Sequence, residues 1–155
     1  MTMTPEQKLA SLGLTLPTAP SPLAAYRPAR LVGSTLYLSG QIPRNPDGSF
    51  IVGRLGRNAS AKDGYDAARN VALQLLSVVK SVVGDLSRVE VVAKVTGMVN
   101  AEPDFTDHAK VIDGCSELLG EVLGEAGHHA RSAVGMGSLP FGVMVEIEAI
   151  VIVRD

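Results

Sequence analysis

The stretch Ala130-Arg131-Ser132-Ala133-Val134-Gly135-Met136-Gly137-Ser138-Leu139-Pro140-Phe141-Gly142-Val143-Met144-Val145-Glu146-Ile147-Glu148-Ala149-Ile150-Val151-Ile152-Val153 holds the pattern on which the fold turns. Its Val-rich and Ile-rich runs read as two strands, Ala130 to Ser138 and Val143 to Val153, reversed by Leu139-Pro140-Phe141-Gly142 into a closing hairpin. Side chains alternate across a strand, so Val145, Ile147, Ala149 and Val151 share one face. Met144, Ile150 and Ile152 share the other with Glu146 and Glu148. Both faces are therefore apolar enough to require cover.

Upstream, Ser60 with Asp63 opens a helix whose stripe is Ala68, Val71, Leu75, Val78 and Val82, stopped at Gly84. Arg88 to Val99 reads as a long strand, and Asp104 to Leu123 as a second helix with Phe105, Ala109, Ile112, Cys115, Leu119 and Val122 on one side. Ala25 to Val32 and Thr35 to Gln41 form a hairpin across Gly33-Ser34. Thr4-Pro5-Glu6-Gln7 starts a short helix running to about Leu12, and prolines at 17, 20, 22 and 28 keep the chain after it extended. Asn45-Pro46-Asp47-Gly48 is a turn, and the segment to Asn58, with a possible strand at Phe50 to Val52, reads as a mobile loop. The order predicts an α+β domain, one mixed sheet packed on two long helices. Two helices cover one face only, so the other is expected to bury itself against further copies of the chain.

At 155 residues and 46% hydrophobic composition, one domain over 1–155 is expected, with 1–24 as an N-terminal helix and arm. A net charge of −2 with scattered Lys and Arg leaves no basic stripe for a phosphate backbone, and 4% aromatics leave few platforms for bases. Nucleic acid is disfavoured on both counts. Gln74 and Lys80 interrupt the longest apolar run, so no membrane span is expected. The single Cys115 and the polar start of the chain fit a cytoplasmic protein.

Glu146 and Glu148 lie about 6.5–7 Å apart on one strand face among apolar neighbours. Burying either unpaired costs several kcal/mol by order of magnitude, which calls for a nearby cation. Arg131, on the preceding strand, is the best-placed candidate. Its planar fork can stitch the sheet or a subunit interface as a plain ion pair, or it can grip an external carboxylate through two parallel hydrogen bonds.

Four motifs in order favour the second use. Ser39-Gly40-Gln41-Ile42-Pro43, Ala130-Arg131-Ser132, Leu139-Pro140 and Val145-Glu146-Ile147-Glu148-Ala149-Ile150, with Tyr26 thirteen residues before Ser39, closely resemble the signatures of the Rid (YjgF, or L-PSP endoribonuclease) family. The resemblance spans about Ala25 to Val153. It implies a chorismate-mutase-like fold and a homotrimer with three clefts between adjacent subunits. It further implies that Arg131 holds a substrate carboxylate and Glu146 positions or activates water. Tyr26, Ser39 and Gly40 would line the cleft, with the Ala133 backbone N–H as a further donor. The implied activity is hydrolysis of enamines and imines such as 2-aminoacrylate to 2-keto acids and ammonia, without a cofactor. Two rivals use the same residues: a trimeric module that binds small carboxylates without turnover, and a ribonuclease acting on single-stranded RNA.

The chain departs from the family pattern where Ala133 replaces a frequent Cys, in the longer Gly53 to Asn58 loop, and at Gly127-His128-His129. These departures place it in a divergent branch resembling the endoribonuclease or chorismate-mutase-like group. His108, Cys115, His128 and His129 lack any metal-ligand spacing, so no metal is expected. Cys115 reads as a buried inert thiol, and Gly114 as a site of close packing against the sheet.

Overall fold

The computed structural model describes residues 2–21 and 25–155; Pro22, with the arm expected to run through it, falls partly outside them. In chain order the elements are α1 (Pro5–Ser11), β1 (Ala29–Val32), β2 (Thr35–Gln41), α2 (Ala61–Val83), β3 (Val89–Asn100), α3 (His108–Leu123), β4 (Ala130–Met136) and β5 (Val145–Val153). Both expected capping boxes form: Thr4 and Gln7 at α1, Ser60 and Asp63 at α2. Gly84 stops α2 at a φ of 81°. Helix α3 begins four residues later than its sequence predicts, because Phe105 N–H donates to the Glu102 carbonyl and closes a turn first.

One five-stranded sheet has the order β1-β2-β5-β3-β4, antiparallel except for the β3–β4 pair. The closing hairpin predicted from Leu139-Pro140-Phe141-Gly142 is not formed. Strand β5 is a buried β-branched run that needs partners on both edges, and it inserts between β2 and β3. Strand β4, half-exposed and interrupted by Gly135, takes the outer edge of β3 after a crossover through α3.

Helices α2 and α3 cover one face. Leu36, Leu75, Val95, Ile112 and Ile147 are among the fully buried side chains there, each contributing roughly 1.5–3 kcal/mol by leaving water. Val82 escapes the predicted stripe and is exposed. The helices touch at Gly64 and Gly114: a Cβ at 114 would collide with the Tyr65 carbonyl, and one at 64 would lie 2.9 Å from Val111. The close approach at Gly114 is thus to α2 rather than to the sheet. On the other face Val32, Tyr37 and Val134 remain 58%, 48% and 40% exposed, an apolar surface of the kind the alternation predicts.

The Gly53–Asn58 segment is not the loose loop its glycines suggest. Leu55 is fully buried, its N–H donates to the Asn100 carbonyl (2.8 Å) and its carbonyl accepts from Glu102 (2.9 Å). Arg54 donates to Glu102 (2.7 Å), Asn100 (2.9 Å) and the Gly137 carbonyl (2.8 Å), sewing the segment to the end of β3.

Candidate functional site

Sheet geometry separates the two residues expected to pair. Arg131 lies beside Val95 and Glu146 beside Met98, so β3 stands between them. Val95 is buried under the helices, whereas Met98 belongs to the opposite row of side chains. Within one chain, Arg131 and Glu146 therefore occupy opposite faces of the sheet, and the expected contact between adjacent strands is absent. Its premise was the hairpin that does not form.

Glu146 sits at a break in the β2–β5 register. Leu38 pairs with Ala149 and Gln41 with Ile147, so β2 carries one extra residue around Ser39-Gly40. A Cβ at Gly40 would lie 2.5 Å from Glu146 Oε1, so glycine is what leaves room for that carboxylate. Tyr26, Gly40, Arg44, Phe50, Phe141 and Glu146 line a cavity of about 640 Å³. Ser39 does not line it. Its hydroxyl donates to the Arg27 carbonyl (2.6 Å) and its N–H to the Pro28 carbonyl (2.9 Å), which fastens the Tyr26 segment to β2.

No ion pair reaches Glu146 or Glu148 among the described residues. Glu148 relieves the cost by exposure. Glu146 stays half-buried, and burial, reinforced by the Glu148 charge, raises its pKa above the ordinary carboxylate value. A carboxylate made more basic in this way is a better proton acceptor near neutrality.

Arg131 occupies a separate depression of about 270 Å³ with Asp113, Ser116, His128 and His129. Its Nη1 donates to Asp113 Oδ1 (2.8 Å) and Ser116 Oγ (3.1 Å), while Nη2 has only a 3.5 Å contact to the Ala109 carbonyl. Asp113 thus binds one end of the guanidinium and leaves the Nε–Nη2 edge as the one able to receive an external carboxylate. His129 Nδ1 donates to the Gly127 carbonyl (2.7 Å), so in the neutral ring Nε2 accepts from the Ser116 hydroxyl (2.9 Å). Burial lowers the His129 pKa, and the Arg131 charge acts in the same direction. Ala133, two residues along β4, shares the helix-facing side with Arg131. Cys115 is fully buried, its thiol pushed up to about 12 by burial, as an inert core thiol should be.

The residues were thus gathered into two groups, Tyr26, Gly40 and Glu146 in one and Arg131 and Ala133 in the other. Asp113 and Ser116 escaped the sequence reading, although their spacing of three on a helix puts both on one side. Phe50 and Phe141 also escaped it. Among the described residues, no group of three His, Cys, Asp or Glu side chains is arranged to hold a metal ion.

The model of the "YjgF/chorismate mutase-like, putative endoribonuclease" family matches residues 6–149. The chain belongs to this family. The crystal structure of Atu1372 from Agrobacterium tumefaciens, a protein of unknown function, is 42% identical and superposes with a TM-score of 0.90, over 97% of this chain and 94% of that one. A 2-iminobutanoate/2-iminopropanoate deaminase of Dermatophagoides farinae is 30% identical over 142 residues, 91% of this chain and 95% of the relative. RidA from Psychrobacter sp. PAMC 21119 is 26% identical with a TM-score of 0.61, over 88% of this chain and 94% of that one. The chain superposes on Atu1372 more closely than on RidA, with TM-scores of 0.90 and 0.61.

Proposed function

We propose that this YjgF-family protein hydrolyses reactive 2-imino acids and their enamine tautomers, of the 2-aminoacrylate type, to 2-keto acids and ammonia in the cytoplasm. The observation that carries the reading is Glu146: a half-buried carboxylate without a cation partner among the described residues, raised in pKa, in a cavity with Tyr26 and Gly40. In this reading Arg131 holds the substrate carboxylate on its Nε–Nη2 edge. Glu146 takes a proton from water as the oxygen adds to the protonated imine carbon, and it returns that proton to the amine of the tetrahedral adduct. Ammonia then leaves as the adduct's hydroxyl proton passes to Glu146 and the carbonyl forms, and Glu146 yields that proton to the departing ammonia as ammonium. Orientation and one proton shuttle suffice, because a protonated imine is already electrophilic.

Arg131 and Glu146 act on one substrate only if different copies supply them. The exposed apolar sheet face and the unpaired edge of β4 support assembly into a homotrimer, with each cleft taking Arg131 and the Ala133 N–H from one subunit and Tyr26, Gly40 and Glu146 from the next. RNA cleavage is the weaker reading, since Arg54 and Arg57 are both engaged by Glu102. The test is ammonia release from 2-aminoacrylate generated in situ. Wild-type protein should accelerate it, and Glu146→Gln should lose about 10²- to 10⁴-fold in rate. An unaltered rate in that variant sinks the reading.

A further inference from the structure

Phe141 is held where a phenylalanine does not belong. Val143 N–H donates to the Pro140 carbonyl (3.2 Å), and the two residues inside that turn, Phe141 and Gly142, have φ of +57° and +71°. Positive φ at both central positions is the type I′ arrangement, which favours Asn, Asp or Gly. Phe141 is the only non-glycine residue with positive φ among those described, and the residue is 69% exposed. The position thus carries both backbone strain and an apolar ring in water, two costs that gather at functional sites.

The ring is also organised. It stacks on Phe50 with centroids 4.4 Å apart and planes at 15°, and the Arg44 guanidinium lies over the Phe50 ring at 4.6 Å. Arg44, Phe50 and Phe141 form three successive layers on the wall of the cavity that holds Glu146, and the outermost layer has a bare face. A cavity of about 640 Å³ lies within the range of pockets for ligands far larger than a three-carbon imino acid.

Resting on the proposed hydrolase, we propose that Phe141 sets its substrate class: its open face receives a planar aromatic side chain, so that aromatic 2-imino acids are preferred over 2-iminopropanoate.

The experiment compares imines made in situ by an L-amino acid oxidase from phenylalanine and from alanine. Stacking predicts a kcat/KM about tenfold higher for the phenylalanine product. Phe141→Asn suits the turn and removes the ring, so it should bring the ratio toward one. Equal rates in wild type overturn the inference and leave the hydrolase standing. If wild type turns over neither imine, the hydrolase reading fails, and calorimetry with phenylpyruvate and pyruvate decides the inference alone. Tighter phenylpyruvate binding that is lost in Phe141→Asn supports it, and equal affinities overturn it. It is also overturned if Phe141→Asn dissociates the oligomer, which would make the ring an intersubunit contact. Loss of poly(U) binding in that variant, with no discrimination between the keto acids, overturns it too.

Discussion

The two ends of the proposed chemistry are built in opposite ways. Around Glu146 the chain supplies room: a glycine beneath the carboxylate, a register break and a wide cavity, with no ion-pair partner among the described residues. Around Arg131 it supplies partners, with Asp113, Ser116 and His129 forming a hydrogen-bonded series that leaves one edge of the fork unclaimed. An acceptor tuned by the lack of partners has to be approached by its ligand, whereas a cation fixed by many partners is already aimed. Within one chain neither group neutralises the other, because β3 holds them on opposite faces of the sheet.

The sharpest way to break this comparison is to mix the halves. At substrate well below KM, Arg131→Ala and Glu146→Gln should each be strongly impaired, but co-expressed in equal amounts they should restore intact clefts at about a quarter of all sites by random assortment. No recovery in verified mixed oligomers would place both groups in one subunit's site and defeat the shared cleft. Next in size, Arg131→Ala should raise KM by about 10- to 150-fold, and Arg131→Lys nearly as much because it loses the fork, as steady-state kinetics will show. Gly40→Ala would displace the Glu146 carboxylate, and a loss of about tenfold or more in kcat with little change in KM is expected.

Smaller effects separate the electrostatics of the two regions. Glu146 acts as its anion, so activity falls as pH drops through its raised pKa. Glu148→Gln removes one cause of that rise and should move the acid limb of the rate profile to lower pH, by roughly two- to threefold in rate on that limb. His129 has the opposite sign. Its folded pKa lies below the ordinary 6.5, so its neutral form contributes stability that is present above 6.5 and lost as pH falls through the folded value. His129→Gln keeps an acceptor for Ser116 without titrating, so its urea midpoint should fall less than that of wild type between pH 7.5 and 5.5.

Local features of the fold were legible because the residues that specify them are adjacent in sequence. Ser60, Asp63 and Gly84 bracket α2, and the alternation of β5 sorts its faces correctly. Pairing was not legible from the same signals. Leu139-Pro140-Phe141-Gly142 encodes a tight turn, yet nothing within it says that β3 will pass between the strands on either side. The misplaced Arg131–Glu146 contact follows from that one error. The Gly53–Asn58 segment misled for another reason: its glycines allow mobility, while Leu55 and the three hydrogen bonds of Arg54, all to distant residues, remove it. The four family motifs were sounder guides to the family, because their order and spacing along the chain do not depend on how the strands pair.

The intervening strand has a kinetic corollary in the proposed assembly. With half of each reaction centre on either side of β3, a solitary chain would be catalytically silent, and specific activity would decline on dilution below the subunit dissociation constant. Turnover would then report how much protein is present as well as how much substrate, so that the cell's supply of the polypeptide acts as a threshold.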